Sequence, residues 1–296
     1  MSNKKHFGII PPVVTPIFED CSFDEKGFIK LLTNLYNEGV HGLFTMGTCG
    51  EATVLPLSIW EQVHRTALDF SKGKMPLICG AIESSTLRVI ELIHKLEDMG
   101  AQTAVVTTPY YQKSSEDQVL RHFDTICRES SIDIFVYNIP QFTETNISAS
   151  LMREIIKYDN IAGIKDSGGN FAQILEFIAL CKETNIAVFC GDEQLIGPAV
   201  LLGADGGVPG MANYFVKQYV DLYDAAKQGN IEQMFRLQLD LMQIQKCKQY
   251  SDSWVGAIKY IGILKGIHEE FAAIPAARLT DEEKEQIERI LSLYAS

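Results

Sequence analysis

Short apolar runs alternate along the chain with longer stretches in which apolar residues recur at helical spacing. Residues 8–17 form a first strand-like run, with Thr15-Pro16 closing it. Residues 24–38 follow, with Phe28, Leu31, Leu32 and Leu35 on one helical face and Gly39 as a stop. The pairing then repeats: strand 42–47 with helix 58–71, 76–82 with 85–99, 103–109 with 115–129, and 133–140 with 148–158. Three further pairs are predicted at 161–165 with 171–184, 187–193 with 195–202, and 206–212 with 214–228. Apolar strands alternating with amphipathic helices predict a parallel sheet covered on its faces. Eight such units over 296 residues fit a (β/α)8 barrel better than a doubly wound sheet. The remainder carries no strand pattern and predicts about three more helices, the last opened by a capping box at Thr280-Asp281-Glu282-Glu283. The expected organisation is therefore a barrel over 1–228 that carries the active site, and a helical extension over 229–296 packed on it.

Composition narrows the function. Hydrophobic residues make up 46% of the chain, enough for a large single core. A net charge of −12 argues against nucleic acid or an anionic membrane as partner, and it means that an anionic substrate needs local donors. The polar N-terminus shows no signal peptide, and no membrane span is expected. Seven scattered cysteines without a C-x-x-C pair read as reduced thiols of a cytoplasmic protein. The six histidines lack metal-ligand spacing, so no metal site is expected.

In a barrel the chemistry belongs where strands run out into βα loops. The stretch Ile161-Ala162-Gly163-Ile164-Lys165-Asp166-Ser167-Gly168-Gly169 delivers a lysine at the end of an apolar strand and then breaks into glycines. Burying an unpaired ammonium is costly, and an amine kept neutral is a nucleophile towards carbonyls; alternatively Lys165 marks an exposed strand end. Gly47-Thr48-Cys49-Gly50-Glu51 ends the second strand, a turn whose backbone N–H groups can hold an anion. Pro109-Tyr110-Tyr111 ends the fourth strand and Tyr137-Asn138-Ile139-Pro140 the fifth. Thr48, Tyr111, Tyr137 and Lys165 thus share one end of the barrel. Hydroxyls beside a nucleophilic amine are what Schiff-base chemistry requires, because water and protons must be moved around the imine.

These motifs, in this order and spacing from about Gly8 through the helical tail, resemble the dihydrodipicolinate synthase / N-acetylneuraminate lyase family of pyruvate-dependent class I aldolases. The matching stretches are Gly47 to Glu51, Tyr137 to Pro140, and Gly163-Ile164-Lys165. The resemblance implies that Lys165 forms an imine with pyruvate or another 2-keto acid, with no separate cofactor. It implies further that Tyr137 shuttles protons, that Thr48 orients it, and that Tyr111 completes the relay from a neighbouring subunit of a homo-oligomer, a dimer or tetramer. The backbone at Thr48 and Cys49 would hold the keto-acid carboxylate, and the Val208 carbonyl would face the imine.

Departures from the family pattern bear on the second substrate. Cys49 replaces a threonine, weakening one hydroxyl donor to a thiol. Phe142 stands where dihydrodipicolinate synthases carry the arginine that grips the second carboxylate. Asp192 and Glu193 resemble the pair with which sialic acid lyases hold substrate hydroxyls, and Ser167 keeps a hydroxyl found there. Gly210 and Cys190, however, replace those lyases' serine and glycine. Asp192 and Glu193 read equally as caps for the helix that begins near Leu195. The expected activity is cleavage or synthesis of a 2-keto-3-deoxy sugar acid through pyruvate and a hydroxyaldehyde. The alternatives are N-acetylneuraminate lyase, 2-keto-3-deoxy acid dehydratase, dihydrodipicolinate synthase, or a non-catalytic keto-acid binder.

Overall fold

A computed structural model describes residues 6–251, 253–268, 272–273, 275–276 and 278–294. The polar segment 1–5 and the last two positions lie outside the described residues. Eight parallel strands follow in chain order: β1 (Gly8–Ile9), β2 (Leu43–Thr45), β3 (Leu77–Gly80), β4 (Thr103–Thr107), β5 (Asp133–Asn138), β6 (Ile161–Asp166), β7 (Ala187–Cys190) and β8 (Gly206–Gly207). Each pairs with the next from β2 to β8, and β8 pairs with β1. The ring closes where Val13 N–H donates to the Phe44 carbonyl at 2.8 Å and Phe44 N–H to that of Pro11 at 3.0 Å. This is the (β/α)8 barrel expected from the alternation, with C-terminal helices.

The first and last strands are shorter than their apolar runs predict. Pro11 and Pro12 have no N–H to give a ladder, so only a single Pro12–Phe44 bridge continues β1. On β8, a side chain at Gly206 would come within 1.9 Å of the Gly8 carbonyl; the bare backbone is what lets β1 approach. After Gly207 the chain turns into a short 3-10 helix, Gly210–Asn213, in place of more strand.

Two apolar clusters follow from strand alternation. One lies between the sheet and the helices; the other fills the barrel interior, with Phe44, Phe135, Tyr137, Phe189 and Val208 among its members. The covering helices are amphipathic, as in Glu116–Glu129, which buries Val119, His122, Phe123 and Ile126 and starts with a Ser115/Gln118 capping box. Burial of a Phe side chain such as Phe123 stabilises by roughly 1.5–3 kcal/mol, so this face outweighs helix propensity in fixing the layer. Beyond the barrel come Ile231–Ile244, a 3-10 segment Gln245–Tyr250, Trp254–Leu264 and Asp281–Tyr294. The last opens as expected: Thr280 Oγ1 accepts Glu283 N–H at 3.3 Å, and Glu283 Oε2 accepts Thr280 N–H at 2.6 Å. Among the described residues no helix is long and apolar enough to cross a membrane.

Candidate active site

The ladder between β5 and β6 sets Tyr137 directly opposite Lys165, and Asn138 opposite Asp166. In-register neighbours share a face of the sheet, so Tyr137 and Lys165 stand side by side near the carboxyl end of the barrel. Lys165 is 5% exposed, with Nζ 3.9 Å from the Tyr137 ring centroid and 4.9 Å from that of Phe44. Aromatic faces attract an ammonium or an iminium, and among the described residues no carboxylate forms an ion pair with Lys165. Thr48, from the turn after β2, approaches the same tyrosine: Oγ1 and Tyr137 Oη are 3.5 Å apart, longer than a well-formed O–H···O bond.

Beneath Tyr137 and Lys165 a buried polar network ties the two strand ends together. Asn138 Nδ2 donates to Asp166 Oδ1 at 2.6 Å, and Asn138 Oδ1 accepts Ile147 N–H at 2.9 Å. Gly168 N–H also donates to Asp166 Oδ1, at 3.2 Å. Burial raises the Asp166 carboxyl above its ordinary pKa, against the hydrogen bonds from Asn138, Gly168 and Gln173.

The turn after β2 is closed by Glu51 N–H donating to the Thr48 carbonyl at 3.1 Å and Ala52 N–H to that of Gly47 at 3.2 Å. The N–H groups of Thr48 and Cys49 meet no acceptor among the described residues, and both residues line a cavity of about 660 Å³ together with Lys165 and Tyr137. Cys49 is buried, and burial pushes its thiol up to about 11 against the pull of Lys165, so it remains protonated at neutral pH. Val208, Ser167, Asp192 and Glu193 complete this wall.

Glu193 is fully occupied by the protein. Its Oε1 accepts Gly210 N–H at 3.1 Å and Lys248 Nζ at 2.6 Å; its Oε2 accepts Met211 N–H at 3.4 Å and the Tyr219 hydroxyl at 2.5 Å. Four donors leave no lone pair directed at a ligand. This corrects the expectation that Glu193 receives substrate hydroxyls. It also corrects the capping assignment, since the N–H groups it caps belong to Gly210–Asn213 and not to the helix Ile196–Leu201. Asp192 behaves differently: Oδ1 accepts Gln194 N–H at 3.0 Å, while Oδ2 has no partner among the described residues. The Ser167 hydroxyl is likewise uncommitted among them, its backbone alone being engaged, with Asn138 and Gln141.

Tyr111 does not join the group. It is 94% exposed, has φ +76°, and is absent from the walls of the cavity beside Lys165. A strand-end tyrosine is turned outwards by a left-handed backbone that no local motif announces. Phe142, on the short helix Pro140–Thr143, is half-exposed and lines both this cavity and an adjoining one of about 720 Å³.

Two cations of the cavity belong to no sequence motif. Lys246 and Lys248 come from the irregular segment after helix Ile231–Ile244. Burial is the largest single influence and lowers the Lys248 pKa, but Glu193, with Cys49 and Asp192, more than offsets it and the ammonium is held above its ordinary value. Lys246 donates to the neutral Gln243 at 2.5 Å and stands at the rim.

A parallel barrel with a buried lysine beside a tyrosine at the carboxyl ends of its strands defines a lyase of the class I aldolase kind. The chain belongs to the dihydrodipicolinate synthetase family, whose sequence profile matches residues 5–294, and it is accordingly a pyruvate-dependent carbon–carbon lyase. It is 32% identical to the 4-hydroxy-tetrahydrodipicolinate synthase of Archaeoglobus fulgidus, over 96% of both chains. It is also 31% identical to an uncharacterised DapA-like lyase of Pyrococcus abyssi, over 88% of both. Among solved structures, the dihydrodipicolinate synthase of Bacteroides thetaiotaomicron superposes with a TM-score of 0.93 at 30% identity, covering 98% of this chain and 99% of the other. YagE, an E. coli K12 prophage protein of the same family solved in complex with pyruvate, gives 0.93 at 28%, covering 98% of each.

Proposed function

We propose that the protein is a Schiff-base aldolase that cleaves or forms a 2-keto-3-deoxy sugar acid, through pyruvate and a hydroxyaldehyde. The observation that carries the chemistry is the in-register pair Tyr137 and Lys165, with Nζ 3.9 Å from the tyrosine ring. In this reading Lys165 Nζ attacks the C2 carbonyl, and the carbinolamine loses water to give an iminium. Tyr137 supplies the proton that leaves with that water. The Tyr137 phenolate left by that step takes a C3 proton to give the enamine, which adds to the aldehyde carbon; Tyr137 returns the proton to the new alkoxide, and water hydrolyses the resulting iminium to release the product and the free Lys165 amine. Thr48 steadies the Tyr137 hydroxyl, while the free N–H groups of Thr48 and Cys49 accommodate the keto-acid carboxylate. The Val208 carbonyl faces the imine. Tyr111, exposed on one chain, acts in the site of a second copy, which makes the working unit a homo-oligomer. The free cysteines fit a cytoplasmic enzyme.

For the aldehyde, Asp192 Oδ2 and the Ser167 hydroxyl are uncommitted polar groups on the cavity wall, and Phe142 offers no cation to a second carboxylate. A site built to bond hydroxyls rejects analogues that lack them. A second reading, 4-hydroxy-tetrahydrodipicolinate synthase, is favoured by the names of the relatives and by Lys246 at the rim. The discriminating experiment is kcat/KM for glyceraldehyde against aspartate semialdehyde at fixed pyruvate, with product identification to separate aldol cleavage from dehydration. Preference for glyceraldehyde, weakened in Asp192→Ala, is expected. A better rate with aspartate semialdehyde would replace the first reading with the second.

A further inference from the structure

The turn that carries Thr48 and Cys49 is bracketed by two non-glycine residues in the left-handed region, Met46 at φ +49° and Glu51 at φ +60°. Such residues persist only where the surroundings over-determine them. On the Met46 side the barrel does so. A side chain at Gly80 would come within 1.8 Å of the Met46 carbonyl. On the Glu51 side Thr15 Oγ1 donates to the Gly50 carbonyl at 2.8 Å and Glu51 N–H to the Thr48 carbonyl at 3.1 Å, and a further restraint reaches the Glu51 side chain from outside the barrel. The Glu51 carboxylate is 6% exposed; its Oε2 accepts the ammonium of Lys259, and its Oε1 accepts Ala273 N–H at 2.6 Å. Lys259 is 0% exposed and sits on helix Trp254–Leu264, and both donors belong to the C-terminal extension.

We infer that the buried Lys259–Glu51 pair is a positioning device, by which the C-terminal extension holds the Thr48–Cys49 turn in the conformation that receives the keto-acid carboxylate. Lys259 is not a catalytic residue in this scheme; it acts through Glu51. Its ammonium is directed at a carboxylate that points away from solvent, and that carboxylate belongs to the residue at which the turn would otherwise relax. A buried charge left without its partner must either take up a proton or reach for water. Reaching for water would rotate Glu51 out of its left-handed conformation and carry the Thr48 and Cys49 N–H groups with it. The inference rests on the reading that those N–H groups bind the carboxylate of pyruvate, so one arm of its test needs no substrate.

The test compares wild type, Lys259→Met, and the double variant Lys259→Met/Glu51→Gln. In the single variant the pyruvate KM should rise about tenfold, the scale of coupling between contacting groups, with kcat and the aldehyde KM changed far less. The double variant removes both charges of the pair, and its pyruvate KM should fall between those of the single variant and wild type. Hydrogen exchange across residues 47–53, measured without substrate, should follow the same order. A general loss of packing would instead lower kcat and raise both KM values together. A wild-type pyruvate KM in Lys259→Met would overturn the inference, as would equal KM values in the single and double variants, since Lys259 would then act independently of Glu51. If Lys259→Met does not fold, the double variant decides: raised KM and faster exchange in 47–53 sustain the clamp, and wild-type values of both refute it. Should the wild type form no imine with pyruvate, the functional reading fails by itself and the exchange arm still judges the clamp.

Discussion

Gly191→Ala should slow imine formation without disturbing the barrel. Gly191 is the first residue after β7, and its φ is not in the left-handed region, so alanine meets no backbone penalty there. The obstacle is space: a Cβ at 191 would lie 2.1 Å from Ser167 Oγ, 3.0 Å from Lys165 Cε and 3.2 Å from the Asp166 carbonyl. Rotation of the serine hydroxyl relieves the first contact. The carbonyl cannot retreat easily, because it accepts Gly191 N–H at 2.7 Å. The Lys165 side chain therefore yields and shifts along its stem. Overpacking by one methyl group costs about 1–3 kcal/mol. If roughly 1–2 kcal/mol of that falls on the attack geometry of Nζ, the rate of imine formation drops about 5- to 30-fold. The assay is the rate of borohydride-trapped pyruvate adduct in a quenched-flow series, with thermal denaturation to verify the fold. Ser167→Ala/Gly191→Ala, which lacks the serine contact, should be slowed to the same extent, because the loss falls on Lys165. A Gly191→Ala enzyme that traps pyruvate at the wild-type rate would show that Lys165 does not depend on this space.

Three further outcomes are expected. Tyr137→Phe should still form the imine but turn over about 10²- to 10⁴-fold more slowly, the usual cost of losing one acid–base group; a near-native rate would leave Tyr137 a packing residue. Hybrids of Tyr111→Phe and Lys165→Ala chains should recover activity through one intact site per pair, and inactive hybrids of verified composition would mean that each chain is self-sufficient. The raised pKa of Asp166 implies a contribution to stability that is complete below the ordinary value of 3.8 and is lost as pH rises through the raised folded value. The Tm difference between Asp166→Asn and wild type should therefore be more favourable to asparagine at pH 7 than at pH 4, and the reverse order in a melting series would contradict the burial argument.

The barrel was legible because its signal is repeated: eight strand–helix alternations outvote any one misread boundary. Lys165, Tyr137 and Thr48 were legible for a related reason, since strand ends in a barrel converge and the register of β5 on β6 then sets the first two side by side. What stayed hidden depended on long-range or conformational information. The left-handed backbone at Tyr111 is not announced by residue type, although the family resemblance already assigns this tyrosine to a neighbouring subunit's site. The saturation of Glu193 requires four donors from three separate places, the Gly210-Met211 turn, Tyr219 and Lys248. Lys259 meets Glu51 across 208 positions of sequence, from a helix whose pattern reads only as apolar. The cations Lys246 and Lys248 lie on a 3-10 segment with no motif, so the positive charge they bring to the cavity of Phe142, Asp192 and Ser167 has no local signal in the sequence.

The most direct measurement is borohydride reduction in the presence of pyruvate, followed by peptide mass mapping of the whole chain. One reduced pyruvyl group on the peptide that contains Lys165, and none in Lys165→Ala, is the expected result. An adduct on Lys246 or Lys248, which share the cavity, or no adduct at all, would contradict the assignment of Lys165 as the imine-forming residue.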